Sequence, residues 1–246
     1  MNAWSREDII IAYALYCVTP LGKINPSNKV IQQVAEIIPH SVASIVMRMR
    51  NFRYIDPKVS SGLKNVAKAD RMIYEEFKHD WGSLSLEAET LTGLAIFDSS
   101  PLQGAKPLSS LTNHGRVSRE RHFFKQAVLA AYDDRCFISG CALPQMLVAS
   151  HIKPYSQCRS EADRVSPDNG ICLNTFYDKA FDRGLITITP SMKIYVSPII
   201  LDSPQDAFTA RWLASLDGMV LPLPPRFPPR RELLEYHNDE IFRRVT

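Results

Sequence analysis

Three short segments between Cys136 and Ser197 hold the residue types that could do chemistry. They are Leu147-Val148-Ala149-Ser150-His151-Ile152-Lys153-Pro154, Asp168-Asn169-Gly170-Ile171-Cys172-Leu173 and Tyr177-Asp178-Lys179-Ala180-Phe181-Asp182-Arg183-Gly184. Hydrolysis of a phosphodiester needs an activated water, stabilisation of charge on the phosphorus oxygens, and help for the departing oxygen. A histidine at the end of a strand can take the water's proton near neutral pH. Its other ring N–H needs an acceptor, and the side-chain carbonyl of an asparagine from a neighbouring loop could be one. One carboxylate on a following helix can hold a divalent cation against the phosphate. His151, Asn169 and Asp178 have the types and order for these three roles.

Taken singly, each residue reads more plainly. A lone histidine is usually an ordinary surface or core residue, Asn-Gly is a turn signal, and an aspartate on a helix is usually a solvated charge. The order and spacing of all three segments change that balance. Together they resemble the HNH endonuclease family and its ββα-metal fold, in the subgroup with a Ser-His-Ile-Lys-Pro first motif and an Asp-x-x-Phe-Asp-x-Gly third motif. The resemblance runs from about Arg119 to Phe242. It implies that His151 is the general base, that Asn169 orients it, and that Asp178, nine residues after Asn169, is a metal ligand. It also implies a divalent cation such as Mg²⁺ or Mn²⁺, DNA as the partner, products ending in 5′-phosphate and 3′-hydroxyl, and a restriction or phage-defence setting. Two positions depart from the pattern. Ser150 stands where many members place a stronger second metal ligand, and Tyr177 stands where this subgroup often has histidine. The alternative reading is a DNA-binding protein that keeps the fold with weakened catalysis. Cys136 and Cys141 sit where some relatives carry half of a structural zinc site, but Asn174 and Tyr177 occupy the other half, so structural zinc is not expected.

The elements that must position these residues form an α+β chain in two parts. A helical, helix-turn-helix-like domain spans 1–92, a linker rich in Ser, Gly, Pro, Thr and Asn spans 93–116, and the nuclease domain spans 117–246. In the first part, Ser5, Asn28 and Ser41 read as caps of three helices, and Asp70 to Trp81 reads as a fourth. The opening Trp4-Ser5-Arg6-Glu7-Asp8 and the Arg-bearing third helix loosely resemble the Myb-type trihelical pattern. In the second part, a helix over Arg119 to Tyr132 precedes strands over Met146 to Ile152 and Gly170 to Leu173. A helix over Asn174 to Phe181, a hairpin around Thr189-Pro190-Ser191 and a last helix near Glu232 to Phe242 follow.

Net charge is only +3, so local clustering has to indicate a nucleic-acid surface. Arg48, Arg50 and Arg53 head a basic stretch that continues through Lys58, Lys64, Lys68 and Arg71. Arg116, Arg119 and Arg121 form a second group, and Lys153, Arg159, Arg164, Lys179 and Arg183 surround the catalytic segments, where they could grip a phosphate backbone. No apolar run is long enough to cross a bilayer, and the five cysteines with no export signal suit a reducing cytoplasm. One active site per chain would make double-strand cleavage easiest for a homodimer.

Overall fold

The computed structural model describes residues 3–55, 66–97, 104–107, 116–202 and 206–243; Lys58, Lys64 and most of the linker lie outside these. Helix α1 (Arg6–Val18) begins with a reciprocal cap. The Ser5 hydroxyl accepts from the Asp8 N–H at 3.1 Å, and the Asp8 carboxylate accepts from the Ser5 N–H at 3.2 Å. Every residue from Asp8 to Val18 is buried, so α1 is the central helix of the N-terminal part. Helix α2 (Lys29–Ala35) is capped by Asn28 at 3.0 and 3.3 Å, and α3 (Val42–Ile55) starts where the Ser41 hydroxyl accepts from the Ser44 N–H at 3.2 Å. The helix expected over Asp70 to Trp81 ends earlier, and a further helix follows it. Helix α4 (Lys68–Phe77) stops, and the Asp80 carboxylate accepts from the Ser83 N–H at 3.1 Å to start α5 (Trp81–Thr92). Helices α3, α4 and α5 all pack on α1, so the first three helices do not stand alone as a trihelical unit.

The segment with linker composition is partly tied down. Strand β1 (Leu94–Ala95) pairs antiparallel with β2 (Lys106–Pro107), Ile96 and Phe97 are buried, and the Gln33 amide bonds both backbone groups of Ala105 at 2.7 and 3.1 Å. Helix α6 (Arg116–Ala131) then serves two cores. Phe123 and Ala127 pack into the N-terminal cluster, while Phe124 and Val128 pack into the C-terminal one. Arg226, fully buried, donates to the carbonyls of Tyr16, Thr19 and Ala130 and so joins the end of α1 to α6.

The C-terminal core is built on an antiparallel pair, β3 (Leu147–His151) and β4 (Gly170–Asn174), in a register that sets His151 opposite Gly170 and Ser150 opposite Ile171. Between them come α7 (Glu161–Val165) and a 3-10 turn over Pro167–Asn169. Helix α8 (Thr175–Asp182) follows β4 directly because Asn174 caps it, accepting from the Tyr177 N–H at 2.9 Å. This ββα unit packs against α6, whose Phe124 and Val128 side chains occupy the space a Cβ on Gly170 would need. Strands β5 (Ile186–Ile188) and β6 (Ile194–Val196) pair next, followed by α9 (Pro198–Leu201), α10 (Ala207–Trp212), α11 (Arg231–Tyr236) and a π-turn over His237–Ile241. Among the described residues no helix is long and apolar enough to cross a membrane.

Two contacts seat the C-terminal end of α8. Gly184 has φ +65°, and a Cβ there would run into the backbone carbonyl of Ile241. Gly184→Ala should therefore cost about 1–3 kcal/mol or more, read as a lowered urea midpoint with unchanged slope. An unchanged midpoint would show that the last turn can move aside. His237 stacks on Phe181 of α8 at 3.7 Å, donates through Nε2 to the Phe181 carbonyl at 3.2 Å, and accepts at Nδ1 from the Thr187 hydroxyl at 2.8 Å. Both ring nitrogens are engaged by the neutral imidazole, and burial pushes its pKa down to about 4. Since the folded pKa lies below the unfolded one, the unfolded chain takes up the proton first as pH falls. Stability is then lost progressively from about pH 6.5 to pH 4, by about 3 kcal/mol in all, and no further below that. Chemical denaturation from pH 7 to pH 4 should show this loss, and His237→Gln should flatten it.

Candidate active site

His151 is the last residue of β3, and the pleat turns its ring toward α6, where it stacks on Phe124 at 4.1 Å. Its Nε2 lies 2.9 Å from the backbone carbonyl of Arg164. A carbonyl can only accept, so Nε2 carries the proton and Nδ1 keeps its lone pair. Burial lowers the pKa of the ring, opposed by the Arg164 carbonyl and assisted by the nearby Arg121 guanidinium, which favours the neutral base. The ring lines a cleft of about 450 Å³ with Arg121, Phe124, Lys125, Leu147, Val148, Ala149 and Tyr155.

Asn169 does not hold the histidine ring, contrary to expectation. It is fully buried, and its Oδ1 accepts from the Lys153 N–H at 2.9 Å. Its Nδ2 donates to the carbonyls of Lys153 at 3.2 Å and Asp163 at 3.0 Å. The physical reason is placement. Asn169 ends the loop that leaves β3 at His151, so its side chain points into that loop and satisfies the backbone there. It acts at one remove, by holding Asp163, the residue before the carbonyl that takes the imidazole.

The oxygens that could hold a cation come from β3 and α8. Asp178 and Asp182 lie one turn apart on α8, and partial burial together with the Asp178 carboxylate raises the pKa of Asp182. Ser150 projects to the face opposite His151; its hydroxyl is buried and has no hydrogen-bond partner among the described residues. A buried orphan hydroxyl and a mutually repelling carboxylate pair are oxygen donors of the kind that suit Mg²⁺ or Mn²⁺, with water completing the shell. Among the described residues, no three His, Cys, Asp or Glu side chains are grouped to hold a metal by themselves. Cys136 and Cys141 close a tight turn (backbone N–H to carbonyl, 2.8 Å), while Asn174 caps α8 and Tyr177 is buried.

The cations divide by what already engages them. Lys179 on α8 and Arg183 at its C-cap are exposed, with no carboxylate partner in salt-bridge range among the described residues. Arg121 and Lys125, one turn apart on α6, are exposed at the cleft beside His151; Lys125 escaped the sequence reading, although its spacing from Arg121 could have found it. Lys153 lies over the Tyr236 ring at 4.3 Å, and Arg164 donates to the Cys158 carbonyl at 3.2 Å and faces Tyr155 at 5.3 Å. In α3, Arg48 pairs with the buried Asp70 and covers Trp4 at 4.3 Å, Arg50 donates to the Ile24 carbonyl at 3.1 Å, and Arg53 is half-buried. Arg48 and Arg50 thus make internal contacts of their own. A further residue, Arg230, reaches the loop before β4 from 67 residues away, a relation with no local signal in the chain.

Residues 136–189 match the family model described as HNH endonuclease, which spans β3, β4, α8 and the following strand. No curated protein matches the chain.

Proposed function

We propose, from the match of residues 136–189 to the HNH endonuclease family model, that the chain hydrolyses phosphodiester bonds in DNA, with His151 as general base and a divalent cation held chiefly by Asp178. The observation that carries this reading is the 2.9 Å contact of His151 Nε2 with the Arg164 carbonyl, which selects the tautomer of the neutral ring. Its Nε2–H is committed to the Arg164 carbonyl, and its Nδ1 is left as a proton acceptor at a cleft flanked by Arg121 and Lys125. In the reaction, Nδ1 takes a proton from water. The water oxygen bonds to phosphorus as the bond from phosphorus to the 3′ oxygen breaks, and that oxygen leaves to become the 3′-hydroxyl. Arg121, Lys125, Lys179 and Arg183 bind the strand through its phosphates. Ser150 and Asp182 would supply further oxygens beside Asp178 if a cation were bound. A divalent cation, when bound there, stabilises charge on the phosphate and on the departing oxygen.

The N-terminal helices are proposed to direct the nuclease to its substrate, in a restriction or defence role. Incubating the full chain with methylated and unmethylated plasmid, with Mg²⁺, with Mn²⁺ or with chelator, tests the whole reading. Metal-dependent nicking or linearisation is the expected result. DNA binding without cleavage in any of these conditions would favour the second reading, a DNA-binding protein with weakened catalysis. That reading draws on the neutral Ser150 and on the lack of a three-residue His, Cys, Asp or Glu group among the described residues.

A further inference from the structure

We propose that Arg230 is a positioning residue for His151, clamping the segment 163–168 so that the Arg164 carbonyl keeps the imidazole in one orientation. This inference rests on the reading of His151 as the base. The connection from Ile152 to Asn169 has little regular structure beyond α7 and short 3-10 turns, and a loop of that length is ordinarily mobile. Yet the atom that orients His151 lies within it. Arg230 holds it at two points. Its Nη2 donates to Asp163 Oδ1 at 2.6 Å, and its Nε lies 3.1 Å from Asp168 Oδ1. Its own backbone N–H donates to the Asp168 carbonyl at 3.1 Å. The guanidinium holds the Asp163 carboxyl below its ordinary range, as expected for a fixed pair. Glu232 approaches the outer side of the same guanidinium at 3.5 Å.

The clamp is only as firm as its own mounting, and the strap around it is stiff. Pro222, Pro224, Pro225, Pro228 and Pro229 restrict the backbone leading to Arg230. Four residues before it, Arg226 is locked to carbonyls of α1 and α6, and Phe227 meets Trp81 edge-on at 5.4 Å. Trp81 also donates to the Ser166 hydroxyl at 3.3 Å, which donates to Asp168 at 2.6 Å. The loop that orients the base is therefore held from the N-terminal helices as well as from the strap. A guanidinium can span two carboxylates in a fixed plane, and an ammonium cannot do so in the same geometry. The Arg230 side chain is 29% exposed, so replacing it can also lower stability, and the test needs a readout other than stability. What its ion pairs contribute is position.

The test uses the full chain with Arg230→Ala, Arg230→Lys and Asp163→Asn. Steady-state cleavage of DNA is measured with Mg²⁺ or Mn²⁺, and ¹⁵N NMR reads the tautomer of the His151 ring. Arg230→Ala should lower kcat roughly 10- to 100-fold with KM nearly unchanged, the range typical of lost outer-shell partners. Its ring resonances should lose the single Nε2–H signature, Arg230→Lys should recover part of both, and Asp163→Asn should move both in the direction of Arg230→Ala. Wild-type kcat together with an unchanged ring signature in Arg230→Ala would overturn the proposal. If Arg230→Ala fails to fold, wild-type kcat in Asp163→Asn overturns it instead. If the unsubstituted chain does not cleave, the reading of function fails, and the ring signature alone decides whether Arg230 fixes the imidazole.

Discussion

His151→Ala should reduce DNA cleavage by about 10²- to 10⁴-fold, the range a positioned general base supplies, and should leave DNA binding close to that of the unsubstituted chain. The ring meets the geometric condition for a base. One nitrogen is bonded to a backbone carbonyl at 2.9 Å, and the other is free at a cleft with cations beside it. Its lowered pKa keeps the neutral form populated at physiological pH. Binding should survive because the proposed phosphate contacts, Arg121, Lys125, Lys179 and Arg183, are other side chains. Losing the stack on Phe124 will cost some stability, so the comparison is made below the unfolding transition of the variant. Cleavage is followed on plasmid DNA under single-turnover conditions, and binding by gel shift without metal. A variant that retains more than about half of the unsubstituted rate would remove His151 from the mechanism.

The second large effect is expected at Asp178. Replacing it with Ala should raise the Mn²⁺ concentration needed for half-maximal activity by roughly two orders of magnitude, because affinity for hard cations is set largely by carboxylate charge. Ser150→Ala should raise it much less, since a neutral hydroxyl is a weak ligand. The orphaned state of that hydroxyl makes the comparison informative. If it has no partner with or without metal, removing a buried unsatisfied group is nearly neutral or stabilising. If it joins a cation, Ser150→Ala weakens binding modestly. Calorimetric titration of Mn²⁺ into each variant separates binding from chemistry. A larger loss for Ser150→Ala than for Asp178→Ala would relocate the cation away from α8.

The ββα region was legible because its signals are local. His151 ends an apolar run that must be a strand, Asn174 is a cap followed at once by an amphipathic turn, and Gly184 takes a left-handed conformation that favours glycine. The caps Ser5, Asn28 and Ser41 were readable for the same reason, since each bonds within three residues of itself. The break at Asp80 was less so: the helix expected to run to Trp81 stops at Phe77, and only the capping carboxylate marks where the next one begins.

The amino-acid order by itself therefore determined the three motifs, their strand, loop and helix settings, and the class of chemistry they suit. Tertiary structure decided which groups those motifs meet. The ring of His151 is held by the Arg164 carbonyl rather than by the Asn169 side chain, and a backbone carbonyl has no residue type to betray it. Arg48 meets Asp70 and Trp4, a use that its basic neighbourhood conceals. Helix α6 divides its apolar residues between two cores, and Arg226 and Arg230 bind α1 and the loop between β3 and β4 from far along the chain. Each of these depends on where the backbone goes between residues distant in sequence, which periodicity and capping do not encode.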